Sequence, residues 1–127
     1  MAGETKVLIV EDDKFLSELI STKLDKEGFD ISLAGDGETG VNKASEFKPD
    51  IILLDIMLPG MDGFEVLEKL KGHSDKAITE IPVVILSNFG QESKVEKGLQ
   101  LGAVDYLVKA NFTTGEIVAK IKEVLKQ

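Results

Sequence analysis

Cysteine and tryptophan are both missing from this chain, and there is only one histidine. Without cysteine there are no disulfides, no thiolate nucleophile and no Cys-ligated metal. With His73 alone, a His-rich metal site is excluded as well. No long uncharged apolar run occurs, so no membrane span is expected. Residues 1–6 contain no basic segment leading into an apolar stretch, which leaves secretion unsupported and makes the cytoplasm the expected location. Positive charge is scarce too: the net charge is −8, the wrong sign for a direct nucleic-acid surface. What is present is 43% apolar and 30% charged residues, the balance of a folded globular domain and not of a disordered chain. The 127 residues suit a single domain spanning 1–127.

Short apolar runs alternate with longer amphipathic segments. The runs are 7–10 (Val-Leu-Ile-Val), 31–34 (Ile-Ser-Leu-Ala), 51–54 (Ile-Ile-Leu-Leu), 83–86 (Val-Val-Ile-Leu) and 106–108 (Tyr-Leu-Val). Three of them are nearly unbroken β-branched or leucine tracts, as in strands buried on both faces. Between them, Leu16, Leu19, Ile20 and Leu24 form one helical stripe, and Phe64, Leu67 and Leu70 another. Val95 and Leu99 mark a shorter helix, and Ile117, Ile121, Val124 and Leu125 a last one. The segment 36–47 is the thinnest helical pattern, with Val41, Ala44 and Phe47. Gly28 is placed to close the first helix, and residues 72–76 read as a polar loop. Five βα units predict a doubly wound α/β fold, a five-stranded parallel sheet with helices on both faces.

In such a sheet, ligands bind beyond the carboxyl ends of the strands. The residues there are Glu11, Asp12 and Asp13 after the first strand, Asp55 after the third, Ser87 after the fourth and Lys109 at the end of the fifth. Each alone has an ordinary explanation: a helix cap, a turn or a snorkelling lysine. Together they gather carboxylates, one hydroxyl and one ammonium at one rim. Packed carboxylates repel unless a cation sits among them, and Lys109 offsets one charge only. Mg²⁺ suits the remainder, because it takes oxygen ligands and commonly bridges carboxylates to phosphoryl oxygens. The chemistry indicated is phosphoryl transfer onto a carboxylate.

At these residues the chain resembles a response-regulator receiver domain of two-component signalling, over essentially its whole length. The resemblance rests on Val10-Glu11-Asp12-Asp13, on Leu54-Asp55-Ile56-Met57-Leu58-Pro59-Gly60-Met61-Asp62-Gly63, on Ser87 and on Tyr106-Leu107-Val108-Lys109. It implies a flavodoxin-like fold with strand order 2-1-3-4-5. It implies that Asp55 accepts a phosphoryl group from the phosphohistidine of a sensor histidine kinase or a phosphotransfer protein, with Lys109 and Ser87 holding phosphoryl oxygens. Mg²⁺ (or Mn²⁺) would be held by Asp12, Asp55, the main-chain carbonyl of Met57 and, through water, Glu11; Asp13 is left to cap the helix. Ser87 and Tyr106 would form the switch, altering the surface around the helix at Val95–Leu99, the fifth strand and the last helix. Such a domain is a signalling switch and not an enzyme, and acts through an effector domain, a target protein or a phosphorylation-dependent dimer.

The side chains of Met57 and Phe89 match positions that flank the path of a hydrolytic water. Both are apolar, so slow autodephosphorylation is expected. Phe15 lies roughly 115° from the centre of the first helix's stripe, which makes it a candidate contact for the kinase. Two positions depart from the family pattern. Lys109 is followed by Ala110 where proline is usual, often after a cis bond; a non-proline cis bond costs roughly 2.5–4 kcal/mol. Asn88 stands where alanine or glycine is usual.

Rival readings fail on particular residues. The run 35–40 (Gly-Asp-Gly-Glu-Thr-Gly) fits a dinucleotide fingerprint on paper, but it follows the second strand and sets Asp36 and Glu38 where a pyrophosphate would bind. A haloacid-dehalogenase-type phosphatase needs Asp-x-Asp on its first strand, where this chain has Glu11-Asp12-Asp13. A flavodoxin's phosphate would be repelled by the same acids. An interaction domain that had lost its switch would have no need of Asp55, Ser87 and Lys109. His73 and the lysines of the last helix (Lys120, Lys122, Lys126) read as solvated surface.

Overall fold

The computed structural model describes residues 4–126. The strands are β1 (Lys6–Val10), β2 (Asp30–Ala34), β3 (Ile51–Leu54), β4 (Val83–Ser87) and β5 (Asp105–Val108). The helices are α1 (Lys14–Lys26), α2 (Gly37–Phe47), α3 (Gly63–Lys71), the single turn α4 (Lys76–Thr79), α5 (Glu92–Gln100) and α6 (Thr114–Leu125). All strand pairs are parallel and the order is β2-β1-β3-β4-β5, the fold class expected from the sequence. Among the described residues, no helix is long and apolar enough to cross a membrane.

Alternation along the strands divides the core in two. Val7, Ile9, Ile51, Leu53, Val84, Leu86 and Leu107 pack against α1 and α6 through Ile20, Leu24, Ile117, Val118 and Ile121. Their neighbours Leu8, Val10, Ile52, Leu54, Val83, Ile85 and Tyr106 face the layer that carries Ala44, Phe64, Leu67, Leu70 and Ile78. Because both faces are covered, β1, β3 and β4 are continuous apolar tracts.

Side-chain caps set most helix starts. Asp13 accepts from the Leu16 N–H (3.2 Å), Asp36 from that of Thr39 (2.8 Å), and Asp62 and Thr113 form capping boxes with Glu65 and Glu116. Gly28, at φ +91°, turns the chain out of α1 as its position suggested. The glycines of 35–40 serve packing: a Cβ on Gly37 would lie 2.4 Å from the Met61 carbonyl, and one on Gly40 2.9 Å from Val10.

Four expectations change. Leu19 is exposed (40%), because the line of α1 that meets the core runs through Ser17, Ile20 and Leu24. In α5 the buried residue is Gly98, while Leu99 faces outward; the helix lies so close to the sheet that a Cβ at 98 would stand 2.6 Å from Ile85 Cδ1. The polar loop after α3 runs into the turn α4, which buries Ile78, and His73 is half-buried there with Nδ1 accepting from the Asp75 N–H at 2.9 Å. The last helix is also tied down. Lys120 pairs with Asp105 and Glu123 (both 3.2 Å), and Lys122 with Glu27, the residue that follows α1.

Candidate functional site

Parallel strands all end at the same edge, so β1, β3, β4 and β5 deliver their following residues to one rim. Glu11 leaves β1 nearly buried (5% exposed), its carboxylate accepting the Asp13 N–H at 3.0 Å. Asp55 leaves β3 equally buried (4% exposed) and accepts the Met57 N–H at 3.3 Å. Lys109, from the end of β5, reaches both: Nζ lies 2.9 Å from Glu11 and 3.1 Å from Asp55. Asp12 is exposed at the mouth, and one carboxylate oxygen each of Glu11, Asp12 and Asp55 lie within 4.8 Å of one another.

No cis peptide bond is present among the described residues. The Lys109–Ala110 bond is therefore trans, and Lys109–Asn111 form a short 3-10 turn that still aims the ammonium at Asp55.

Three carboxylates and one ammonium make a site that resists its own charge. Burial, helped by the Asp55 charge, pushes the Glu11 carboxyl up to about 7, against the Asp13 N–H and Lys109, which favour its ionised form. Burial works against the Lys109 charge, but the hydrogen bond to Glu11 and the field of Asp55 outweigh it and hold the ammonium above the ordinary lysine range. These are hard oxygen donors with negative charge to spare, and they fit a small divalent cation.

Ser87 closes β4 and is fully buried; its Oγ accepts the Phe89 N–H at 3.1 Å. Tyr106 points inward, 8% exposed, and its hydroxyl donates to the Phe89 carbonyl at 2.6 Å. Burial raises its pKa. The main chain of Phe89 thus joins Ser87 to Tyr106, a link that no spacing in the sequence announces. Met57 is exposed (59%) and Phe89 half-buried, and both line a cavity of about 660 Å³ together with Glu11, Asp12, Asp55 and Lys109. Asn88 lines it as well. Phe15 is 73% exposed on α1, clear of the core.

Two residues received no role from the sequence. Gly63 begins α3 against the Asp55 loop, where a Cβ would stand 2.2 Å from the Asp55 carbonyl and 2.7 Å from Ile56 Cα. The aspartate-glycine pair at 62–63 was the available signal: a cap followed by a residue that must have no side chain. Lys94, on α5, lines the cavity too; nothing in the sequence set it apart from other surface lysines.

The family model of the response regulator receiver domain matches residues 7–122. Among solved structures, the chain is similar to the BeF3-activated N-terminal receiver domain of Klebsiella pneumoniae RstA. Identity is 31%, coverage is 97% of this chain and 100% of that one, and the TM-score is 0.84. It is similar to Vibrio cholerae chemotaxis protein CheY4 at 27% identity, with 96% and 99% coverage and a TM-score of 0.87. The Mn²⁺-bound form of response regulator Rcp1 matches at 29%, with 94% and 92% coverage and a TM-score of 0.80. Rim, fold and likeness agree: the chain belongs to the response regulator receiver domain family of two-component signalling.

Proposed function

We propose that Asp55 accepts a phosphoryl group from the phosphohistidine of a sensor histidine kinase or a phosphotransfer protein, in a reaction that depends on Mg²⁺ or Mn²⁺. The observation that carries this reading is the placement of Asp55: a nearly buried carboxylate, 3.1 Å from the Lys109 ammonium, opening into a cavity shared with Glu11 and Asp12. A carboxylate oxygen of Asp55 attacks phosphorus, the P–N bond breaks, and its electron pair returns to the imidazole nitrogen. Asp12, Asp55, the Met57 carbonyl and, through water, Glu11 are the residues to hold the cation. When bound, the cation neutralises carboxylate charge and draws in the phosphoryl oxygens. Lys109 passes from the carboxylates to a phosphoryl oxygen. Ser87, whose Oγ accepts from Phe89, turns its own proton from the Tyr106 hydroxyl to another. The inward Tyr106 supports the switch reading, because its hydroxyl is bonded to the residue two positions after Ser87.

On this reading the phosphorylated chain is a signal and not an enzyme's intermediate. Met57 and Phe89 flank the water path and keep hydrolysis slow, and Phe15 contacts the kinase. The altered surface of α5, β5 and α6 meets an effector domain, a target protein or a second copy, in the cytoplasm. The test is intact mass after incubation with Mg²⁺ and acetyl phosphate. One added phosphoryl group is expected in the wild type and none in Asp55→Ala. A gain that persists in Asp55→Ala overturns the assignment.

A further inference from the structure

Among the described residues, two cationic side chains line the cavity at Asp55, and they are differently engaged. Lys109 is held by Glu11 and Asp55. Lys94, at the third position of α5, forms no ion pair among the described residues. Its ammonium sits instead over two aromatic rings, 5.4 Å from the centroid of Phe89 and 5.8 Å from that of Phe64. The negative faces of the rings hold the charge in place without neutralising it. Phe89 and Phe64 also line the cavity, which at about 660 Å³ is larger than a phosphoryl group fills. A phosphoryl donor with its phosphorus at Asp55 needs room for its leaving group, and the aromatic wall beneath Lys94 offers it. The rest of the charge in the cavity is mainly carboxylate, from Glu11, Asp12, Asp13, Asp55 and Asp62. Among the described side chains that line the cavity, the unpaired positive charge an anionic donor meets is that of Lys94.

We propose that Lys94 binds the leaving group of small anionic donors and makes this receiver favour acyl phosphates over phosphoramidate among small donors. The inference rests on Asp55 being the acceptor. With an acyl phosphate, an Asp55 oxygen attacks phosphorus and the bond from phosphorus to the acyl oxygen breaks. Its electron pair stays on that oxygen, and the leaving group departs as a carboxylate with no proton transfer. Negative charge grows on the departing oxygen, so a nearby ammonium stabilises the transition state. With phosphoramidate, the P–N bond breaks and the pair returns to a nitrogen that is already protonated and leaves as ammonia. There the same ammonium has no growing negative charge to meet. Unit charges about 5 Å apart at an effective dielectric of about 50 change a rate about tenfold.

The experiment measures phosphorylation rate constants with acetyl phosphate and with phosphoramidate, both in Mg²⁺ buffer, for the wild type, Lys94→Gln, Lys94→Met and Lys94→Arg. Gln and Met should slow the acetyl phosphate reaction about tenfold and leave phosphoramidate within about twofold. Arg, which keeps the charge and stacks on rings, should restore the wild-type rate. High salt should narrow the wild-type preference. Equal slowing with both donors would make Lys94 a packing residue and overturn the proposal, as would no change with either. A wild type that is phosphorylated by neither donor, or at a residue other than Asp55, would instead overturn the acceptor assignment, and the proposal with it.

Discussion

The metal-free site should be detectable as a pH dependence of stability, because Glu11 is folded into a place that disfavours its charge. Its carboxyl rises from an ordinary 4.5 to about 7, chiefly through burial. The folded protein therefore binds this proton more tightly than the unfolded chain. The resulting stabilisation is fully present below pH 4.5 and is lost as pH rises through about 7. At 1.36 kcal/mol per pH unit, the swing is about 3 kcal/mol. For a chain of this length that corresponds to roughly 10 °C in Tm.

Glu11→Gln removes the titration while keeping an oxygen for the Asp13 N–H. Any loss from the weaker contact with Lys109 does not vary between pH 5 and 8. Asp36 and Asp75, held low by N–H donors, lose stabilisation in acid equally in both proteins and cancel. Urea unfolding in a chelator at pH 5, 6, 7 and 8 should show Glu11→Gln gaining about 2.5 kcal/mol relative to the wild type across that range, the part of the swing that lies above pH 5. A difference constant to within about 0.5 kcal/mol would show that Glu11 is ionised throughout and that the electrostatic account of the rim is wrong.

Cation binding should raise Tm by mass action, about 1.4 kcal/mol or roughly 5 °C at ten times Kd, and Asp12→Ala should erase that shift in Mg²⁺ melts; an unchanged shift places the ion elsewhere. Replacing Met57 with Asn, or Phe89 with a small or basic residue, should speed loss of phosphate severalfold in Mg²⁺ buffer, and a wild-type lifetime of seconds would refute the apolar lid. Phe15→Ala should slow transfer from the cognate kinase about tenfold with a stability change under about 0.5 kcal/mol; unchanged transfer with lowered stability would make Phe15 a packing residue. Gly63→Ala should cost about 3 kcal/mol in urea unfolding and impair phosphorylation, since its Cβ meets main-chain atoms that cannot swing aside; a neutral result would mean that the Asp55 loop is free to move.

The apolar tracts at 7–10, 51–54 and 83–86 dictate a parallel sheet covered on both faces, and that alone places Glu11, Asp12, Asp55, Ser87 and Lys109 at one rim. Those residue types, at those strand ends, also carry the family. Leu19 and Leu99 were misplaced because periodicity weighs the size of side chains and not their distance from a neighbour. In α5, close approach makes Gly98 the buried contact and turns Leu99 to solvent. Other matters belong to the tertiary structure alone. Lys109 and Asp55 are 54 positions apart, and their 3.1 Å contact follows from strand order, register and the short turn that replaces the usual proline. The raised pKa of Glu11 needs burial beside Asp55, Tyr106 faces inward because the Phe89 carbonyl waits there, and Lys94 joins the cavity because two rings receive it. A sequence encodes which face of each element avoids water; energies that fall with distance between residues far apart in the chain are defined only once the elements have packed.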